Sequence, residues 1–276
     1  MSSLHVTLID VGWGDSILIE SIGESDNSKP LYALVDSPDT PYLQSSYIFL
    51  KRHFEKKGVK IPEDKPLFEF VLLSHPHTDH YQGLKTIMKE FGTRNFWYPK
   101  STEWGSAADL IRFAGVSSNV QHHQSIDDTK IIPKLGDVDI AVLWPVYNQP
   151  DSSNENNNSV VLSLRLGNVV FVLSGDAEAE VWSQISGKLS NARFFKIPHH
   201  GSINGTFDSH GNTPWLSSCP NACLGISSHV RPFGHPNQQV VQLLDSTRRE
   251  YYRTDQHYHI TVQTDGTDVE VKYSHV

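Results

Sequence analysis

The feature that most constrains this chain is a dense run of metal-binding residue types that directly follows an apolar segment. Residues 68–73 have the sequence FEFVLL, and SHPHTDH comes next. Three imidazoles and one carboxylate fall within six residues: His75, His77, Asp79 and His80. Imidazole nitrogen and carboxylate oxygen suit Zn, Mn or Fe, and no cysteine stands nearby to close a structural zinc site. We therefore predict a buried strand over residues 68–73 that ends in a metal site.

Four ligands this close together in one loop can be divided between two ions. His75 and His77 then serve one ion, while Asp79 and His80 serve the other. The alternative interpretation is a helix N-cap at Thr78 and Asp79, but a cap needs one such residue rather than four.

Two further predicted strands end in residues of the same kinds. Asp176 comes shortly after the apolar segment 169–173, and His199 and His200 follow a predicted strand over residues 193–197. Alone, Asp176 indicates a helix N-cap, but beside a histidine cluster it becomes a candidate bridge between two cations. One of the two histidines could complete the shell of the second ion, and the other could contact substrate. Polar groups at strand ends, with helices after them, predict a layered α/β domain.

The rest of the chain gives weaker signals. Alternation at Leu4–Ile9 and Ser16–Ile22 predicts a hairpin around the glycine loop DVGWGD. Residues 95–134 have a mixed pattern, in which residues 107–113 predict a helix. The Asn/Ser-rich composition of residues 151–158 favours, by itself, a flexible surface loop.

Composition excludes several classes of protein. The 276 residues suffice for two domains or for one large α/β domain. The longest apolar stretches, such as 169–173, are far shorter than the ~20 residues that span a bilayer, and the start MSSLH lacks a signal-peptide pattern. Cys219 and Cys223 cannot form a disulfide framework and are expected to be buried thiols, so we expect a cytoplasmic protein. A net charge of −8 argues against a protein that coats nucleic acid, but allows a nucleic-acid substrate at a local site with bound metal.

Taken in order, the motifs resemble those of metallo-β-lactamase-fold hydrolases, and most closely the soluble hydrolase domain of ComEC-type competence proteins. The first motif is DVGWGDS at 10–16, where the family usually has DVGQGDA, and the metal-binding run is followed by Gly83. The others are LVD at 34–36, NNNSVVL at 156–162, SGD at 174–176, KIPHHGS at 196–202 and FGHP at 233–236, and the tail from YRTD at 252–255 to TDG at 264–266 is similar to the last hairpin of that domain. The resemblance covers nearly the whole chain, although it does not extend to the membrane channel of those proteins.

The resemblance implies a four-layer αββα sandwich, one domain over residues 1–276, with a two-metal site along one edge of the paired sheets. It implies two divalent metal ions, Zn or Mn, as cofactors. By position, one ion is held by His75, His77 and Asp176, and the other by Asp79, His80, Asp176 and His200. Asp36 is implied to lie under the metal loop and to orient ligands.

One departure from the family concerns the first ion. Many relatives supply it with a further histidine from the middle of the chain. Here that segment offers only His122 and His123, which we expect to be surface residues. The ComEC-like subgroup has an Asn-Asn-x-Ser pattern instead, which Asn156, Asn157 and Ser159 fill. The first site is therefore expected to be open or weakly held.

Other residues in the matched motifs are candidates for the surroundings of the metals or for substrate contacts. Trp13 replaces the usual glutamine and could narrow the mouth of the site or stack on a base or ring. Arg231 could hold a substrate phosphate as a fork-shaped donor. His235 either lines the pocket or is a plain turn residue. Asp15 and Ser202 complete this set.

The implied reaction is hydrolysis by a metal-bound hydroxide. Two cations can lower the pKa of a shared water toward ~7 and neutralise charge on a phosphoryl or acyl oxygen. In this interpretation Asp79 and Asp176 hold the hydroxide in line. His199 or His235 donates to the substrate oxyanion or protonates the leaving group.

The leading hypothesis from the sequence is a phosphodiesterase or nuclease whose substrate is a phosphodiester, with nucleic acid and nucleotides included. One alternative is hydrolysis of a small ester at the same site, such as a phosphorylcholine ester, a lactone or a thioester. Another is a non-catalytic metal-binding sensor. No membrane partner is expected, and the sequence identifies no protein partner.

Overall fold

Two β-sheets form the centre of the molecule. The computed structural model describes residues 2–24, 29–61, 65–100 and 104–274, in which fourteen strands form an eight-stranded and a six-stranded sheet. The strands are β1 (Ser3–Leu8), β2 (Ile17–Ile22), β3 (Leu31–Val35), β4 (Phe68–Leu72), β5 (Thr93–Pro99), β6 (Val120–Ile126), β7 (Asp139–Trp144), β8 (Val161–Leu166), β9 (Val169–Leu173), β10 (Ala192–Lys196), β11 (Cys223–Ile226), β12 (Tyr251–Arg253), β13 (Ile260–Thr264) and β14 (Val269–Tyr273). The larger sheet has the order β14-β13-β1-β2-β3-β4-β5-β6, and the smaller has the order β12-β11-β10-β9-β8-β7.

Hydrophobic patterning explains why these segments form strands. In β1, Leu4, Val6 and Leu8 are fully buried and belong to the core between the two sheets. This strand pairs antiparallel with β2, and Leu8 lies opposite Ile17. β4 has parallel neighbours on both sides and is apolar at four of its five positions, as expected for a strand covered on both faces.

The described part of the chain contains eight α-helices, and the five longer ones cover the outer faces of the sheets. The eight are α1 (Ser45–Lys56), α2 (Thr78–Tyr81), α3 (Leu84–Phe91), α4 (Ala108–Val116), α5 (Ala179–Ile185), α6 (Ile203–Thr206), α7 (Gln238–Ser246) and α8 (Thr254–His257). Apolar residues of α1, α3 and α4 pack on the larger sheet, and those of α5 and α7 pack on the smaller. These layers confirm the predicted α/β class and the αββα sandwich.

The predicted strands over residues 169–173 and 68–73 are confirmed, the second ending one residue earlier than predicted. The mixed region 95–134 contains β5 and β6, which the pattern did not predict. Its predicted helix over residues 107–113 corresponds to α4. β6 is an edge strand with an exposed polar middle, so its sequence lacks the apolar alternation of a covered strand.

None of the helices in the described part of the chain is long and apolar enough to cross a membrane. The prediction of one domain over residues 1–276 remains a prediction, and its ends, Met1 and residues 275–276, lie outside the described residues.

The core between the sheets leads to a stability prediction. Phe171 is fully buried there, with its ring edge-on to Phe194 at a centroid distance of 5.5 Å. Phe171→Ala is expected to lower the free energy of unfolding by ~3–5 kcal/mol, because it leaves a cavity between two sheets that cannot close easily. Chemical denaturation measures this change. Val116→Ala, at an 82% exposed position, is the control and is expected to change it by less than ~0.5 kcal/mol; a similar small loss for Phe171→Ala would contradict the assignment of this core.

Candidate metal centre

Polar loops that follow three strands meet around one cavity. The loops are residues 74–80 after β4, 174–176 after β9 and 198–202 after β10. The cavity has a volume of about 510 Å³. It is lined by Trp13, Pro76, His77, Thr78, Asp79, Asn156, Asp176, His199, His200, Phe233 and His235.

The base of the cavity holds a buried group of four ligand residues, Asp79, His80, Asp176 and His200, which we call the His/Asp cluster. Its ligand atoms all lie within 4.8 Å of one another. The Nε2 atoms of His80 and His200 are each 3.3 Å from Asp176 Oδ2, and 3.6 and 3.5 Å from Asp79 Oδ2. Ligands at ~2.0–2.2 Å from a tetrahedral ion are ~3.3–3.6 Å from one another, so the cluster has the spacing that such an ion requires.

Hydrogen bonding leaves the His/Asp cluster unsatisfied. His80 Nε2, His200 Nε2 and Asp176 Oδ1 are buried and have no hydrogen-bond partner among the described residues. Buried polar atoms in folded proteins nearly always have a partner. Two imidazoles and two carboxylates also form a donor set that divalent metals accept, so the cluster could hold a metal ion.

The Nδ1 atom of each cluster imidazole has a hydrogen-bond acceptor on the side that faces away from the cluster. Asp36 Oδ2 is 2.8 Å from His80 Nδ1, and the backbone carbonyl of Ser227 is 2.9 Å from His200 Nδ1. Asp36 also accepts hydrogen bonds from the amide and the hydroxyl of Ser74, at 2.7 and 2.6 Å. Since these acceptors take the Nδ1 proton, both Nε2 atoms face the cluster, as in metal-binding histidines.

Charges within the cluster balance one another. Although burial opposes ionisation, His200 and His80 hold the pKa of the Asp176 carboxyl well below its usual range. Burial likewise opposes the charge on the imidazoles, but Asp176 raises the pKa of His80 well above its usual range. Asp176 and Asp15 raise the pKa of His200 to about 10. The protonated imidazoles thus neutralise the carboxylates here, and a divalent cation held by the same four residues would take the place of these protons.

His75 and His77 lie beside the cluster. His75 Nε2 is 4.0 Å from Asp176 Oδ2 and 3.0 Å from His77 Nδ1. Burial lowers the pKa of both imidazoles, that of His75 by more. Both rings are therefore in the neutral form that binds metals, but with Asp176 they form a looser set than the His/Asp cluster.

The glycine loop of residues 10–16 packs directly on the metal-binding run. Gly14 has φ +110°, and a Cβ atom there would lie 2.2 Å from the Asp79 carbonyl oxygen. The next amide, of Asp15, donates to that same oxygen at 3.2 Å. Glycine is thus required for the loop to approach the residue that carries a cluster carboxylate.

A second compact acidic group lies deeper. It consists of Asp15, Asp36 and His80 and is fully buried. Lys196 Nζ lies 2.6 Å from Asp15 Oδ2 and donates to the Gly175 carbonyl oxygen at 3.2 Å, while His80 pairs with Asp36. Lysine and histidine thus already neutralise this group, and the permanent cation of Lys196 beside Asp15 distinguishes it from the His/Asp cluster.

The Asn/Ser-rich segment 151–158 corrects an expectation. Composition alone favoured a flexible surface loop, but its end and the next residue are buried: Asn156, Asn157, Asn158 and Ser159. Ser159 Oγ accepts the Asp176 amide at 3.0 Å, and Asn157 Oδ1 accepts the Glu178 amide at 2.9 Å. The segment therefore holds the Asp176 loop in place, because its side chains accept hydrogen bonds from the backbone amides of that loop.

Glu178 is held by the same segment and contacts His199. Asn154 and Asn156 donate to the two oxygens of its carboxylate at 2.8 and 2.9 Å. The His199 Nδ1 atom is 3.2 Å from Glu178, and its Nε2 atom is 3.8 Å from Asp176 Oδ2. Glu178 thereby orients the His199 ring with Nε2 toward the base of the cavity.

The backbone at His199 and His200 is in the left-handed region, with φ values of 49° and 54°. Such residues cost ~1–3 kcal/mol each and occur where the surrounding structure requires them. The turn directs both rings into the cavity, where His235 joins them at ring-centroid distances of 5.7 and 6.5 Å. Burial and the neighbouring His200 lower the pKa of His235 to about 4, so that His235 is neutral at pH 7.

The remaining predicted residues have different surroundings. Trp13 and His235 line the cavity, whereas Arg231 is exposed and outside the lining. Ser202 Oγ accepts the Gly205 amide at 3.0 Å and so caps α6.

Predictions for residues outside the site are confirmed. His122 and His123 are exposed on β6. Cys219 and Cys223 are free and buried.

Sequence reasoning missed four contributors to the site. They are Glu178, Lys196, the Ser227 carbonyl and Phe233. Lys196 carried a usable signal, since it follows two phenylalanines at the buried end of its strand, and lysines are almost never fully buried without a partner. Phe233 belongs to the FGHP motif and Glu178 lies two residues after SGD, but only the folded chain shows what they contact.

Comparisons with known proteins agree with this architecture. The sequence profile of the family described as "Metallo-beta-lactamase superfamily" matches residues 68–210, more than half of the chain. ComE operon protein 3 of Bacillus subtilis (strain 168) is 24% identical over 262 residues, which cover 91% of this chain and 32% of that protein. The chain therefore spans about a third of the length of that relative.

A solved structure shows the same fold. The metallo-beta-lactamase fold protein YhfI from Bacillus subtilis superposes with a TM-score of 0.52 at 14% identity, covering 98% of this chain and 100% of that one. These matches confirm the resemblance predicted from the motifs. The chain belongs to the metallo-beta-lactamase superfamily, whose members are generally hydrolases.

Proposed function

We propose that the protein is a metal-dependent phosphodiesterase that acts on nucleic acid or nucleotides. The observation that carries this proposal is the open cavity with the buried His/Asp cluster at its base, in which His80 Nε2, His200 Nε2 and Asp176 Oδ1 lack hydrogen-bond partners among the described residues. The motif resemblance to ComEC-type hydrolase domains, which are linked to DNA strand degradation, favours a phosphodiester over other bonds.

Two divalent ions, Zn or Mn, fit the residues present. One would be held by His75, His77 and Asp176, and the other by Asp79, His80, Asp176 and His200. When bound, such ions supply a water of lowered pKa and positive charge for a phosphoryl oxygen. The compact His/Asp cluster favours tighter binding than the looser first set, in which 4.0 Å separates His75 Nε2 from Asp176 Oδ2.

The cavity determines which residues of the chain take part in the reaction. Its eleven described lining residues include no serine or cysteine, and Thr78 is the one hydroxyl residue among them, so we assign the role of nucleophile to water. The carboxylates of Asp79 and Asp176 accept hydrogen bonds from that water and orient it. His199, turned by Glu178, presents Nε2 to the leaving oxygen and can give it a proton. His235, which is neutral at pH 7, is a candidate to donate a hydrogen bond from its ring N–H to the substrate oxyanion.

Hydrolysis of a small ester at the same centre is the competing function. The absence of lysine and arginine from the cavity lining favours it, because a longer polyanion finds no counter-charge there. Assays with a phosphodiester, a phosphorylcholine ester, a lactone and a thioester under the same metal conditions decide between the two. Metal binding without turnover of any of these compounds would indicate a sensor instead.

Loss of ligands tests the assignment of the site. His75→Ala and Asp79→Ala are each expected to lower kcat/KM for bis-p-nitrophenyl phosphate by more than ~100-fold, since even contacts behind a metal ligand are worth 10–100-fold. Steady-state kinetics in Zn²⁺ and in Mn²⁺ measures this loss, and circular dichroism verifies folding. His122→Ala, exposed on β6, is the matched control. Robust activity in both ligand variants would show that the chemistry occurs elsewhere.

Metal binding is also expected to stabilise the fold. At an ion concentration ~100 times the Kd, the free energy of unfolding rises by ~2.7 kcal/mol, because the unfolded chain has no such site. Thermal melts with and without ion measure this rise, and mass spectrometry is expected to find about two ions per chain. Asp176→Asn removes the shared carboxylate and is expected to lose most of the rise, whereas Asp265→Asn, in an exposed turn, keeps it. An undiminished rise in Asp176→Asn would place the ions outside this cluster.

A further inference from the structure

Two aromatic rings stand at the mouth of the cavity, and the hydrolytic chemistry does not require them. The rings of Trp13 and Phe233 have centroids 5.3 Å apart and planes inclined by 60°. Phe233 is 62% exposed although it is fully apolar. An exposed large apolar side chain beside a polar cavity is typical of a surface that a ligand covers.

The rings connect the mouth to the base of the cavity. The centroid of Phe233 is 6.2 Å from that of His235, which lies 5.7 Å from His199. His199 in turn reaches to within 3.8 Å of Asp176 in the His/Asp cluster. One small ligand could therefore stack a planar group on the rings and place another of its groups at the cluster.

The position of Trp13 is fixed by the loop that carries it. Gly14 leaves no room for a side chain against the Asp79 carbonyl, and the Asp15 amide donates to that carbonyl at 3.2 Å. The backbone of Trp13 is thus held at a defined place relative to a cluster carboxylate, and its indole contacts the ring of Phe233. A ring on a fixed backbone loses less freedom when it binds, which favours its use as a contact surface.

The rest of the lining narrows the chemistry of the ligand. None of the eleven lining residues, all of them described, is aliphatic, so an acyl chain finds only flat rings and one proline. None is lysine or arginine, so a polyphosphate tail has no partner there. The lining therefore favours a ligand that carries a flat, uncharged ring next to a single phosphate.

We propose that Trp13 and Phe233 form a base-stacking subsite, and that the preferred substrate is a phosphodiester with a nucleobase on one side of the scissile bond. This inference rests on the proposed phosphodiesterase function and gives its substrate class. Stacking between a base and an aromatic side chain tolerates different bases, because each has a π face. The subsite therefore distinguishes nucleotides from simple alkyl diesters rather than one base from another.

Two matched ligand pairs test the subsite. Calorimetry compares the binding of thymidine 5′-phosphate with that of methyl phosphate, and kinetics compares kcat/KM for their p-nitrophenyl esters, which share one leaving group. The wild-type protein in Mn²⁺ is expected to prefer the thymidine compound ~10-fold or more in both measurements. Trp13→Gln, which restores the residue usual in the family, and Phe233→Leu, which keeps an apolar side chain without a ring, are each expected to lose most of that preference.

Tyr42→Leu is the control, since this 98% exposed aromatic ring lies outside the cavity lining and its loss should leave the preference intact. Equal binding of the two phosphates by the wild type, or an unchanged preference in both variants, overturns the subsite. Turnover of the methyl ester without a thymidine preference leaves the phosphodiesterase function in place and rejects the subsite alone. If neither ester is hydrolysed, the phosphodiesterase function fails, and the calorimetric ratio still decides whether the rings bind a base.

Discussion

The structure depends on keeping two carboxylates and two imidazoles together away from water. Asp79, His80, Asp176 and His200 are at most 8% exposed, and burying charged groups is costly unless opposite charges or a metal ion compensate. Each imidazole of the cluster lies within 3.6 Å of both carboxylates, so the four groups compensate one another. The loops that carry them come from three different strands, and the packing of both sheets must therefore hold these strand ends in place.

Support for the cluster comes from a second set of buried polar contacts. Asp36 fixes His80, and Lys196 joins Asp15 in the first glycine loop to the Gly175 carbonyl beside Asp176. Replacing a buried ion pair of this kind by apolar residues often leaves stability unchanged. We therefore assign the Lys196–Asp15 pair a role in positioning the loops rather than in stabilising the fold. One ammonium group bridges these two loops, and the geometry of the ligands can thus exist before any ion binds.

The sequence predicts much of this arrangement because ligands and strands are encoded locally. The run after β4, the Gly-Asp motif after β9 and the histidines after β10 each follow an apolar segment, so their place at strand ends follows from pattern alone. Contacts between distant segments are not encoded in this way. The pairing of Lys196 with Asp15 arises only when the two sheets pack, and the burial of Asn157 under the Asp176 loop requires the pairing of β8 with β9. Composition misjudged that asparagine because its polar groups are satisfied by backbone amides rather than by water.

The distribution of charge around the cavity separates the attraction of an anionic substrate from the selection among substrates. One arginine in the lining could have performed both tasks. The described lining contains no lysine or arginine, and the imidazoles of the cluster are already paired with Asp79 and Asp176, so the chain by itself offers a phosphate no free positive charge there. Lys196 lies nearby, but it forms an ion pair with Asp15 below the cavity. Under the proposed function, attraction for an anionic substrate would then come from cations held at the cluster, and selectivity would come from uncharged contacts. An aromatic mouth above a metal-binding base would satisfy both requirements, because stacking on Trp13 and Phe233 needs no counter-charge.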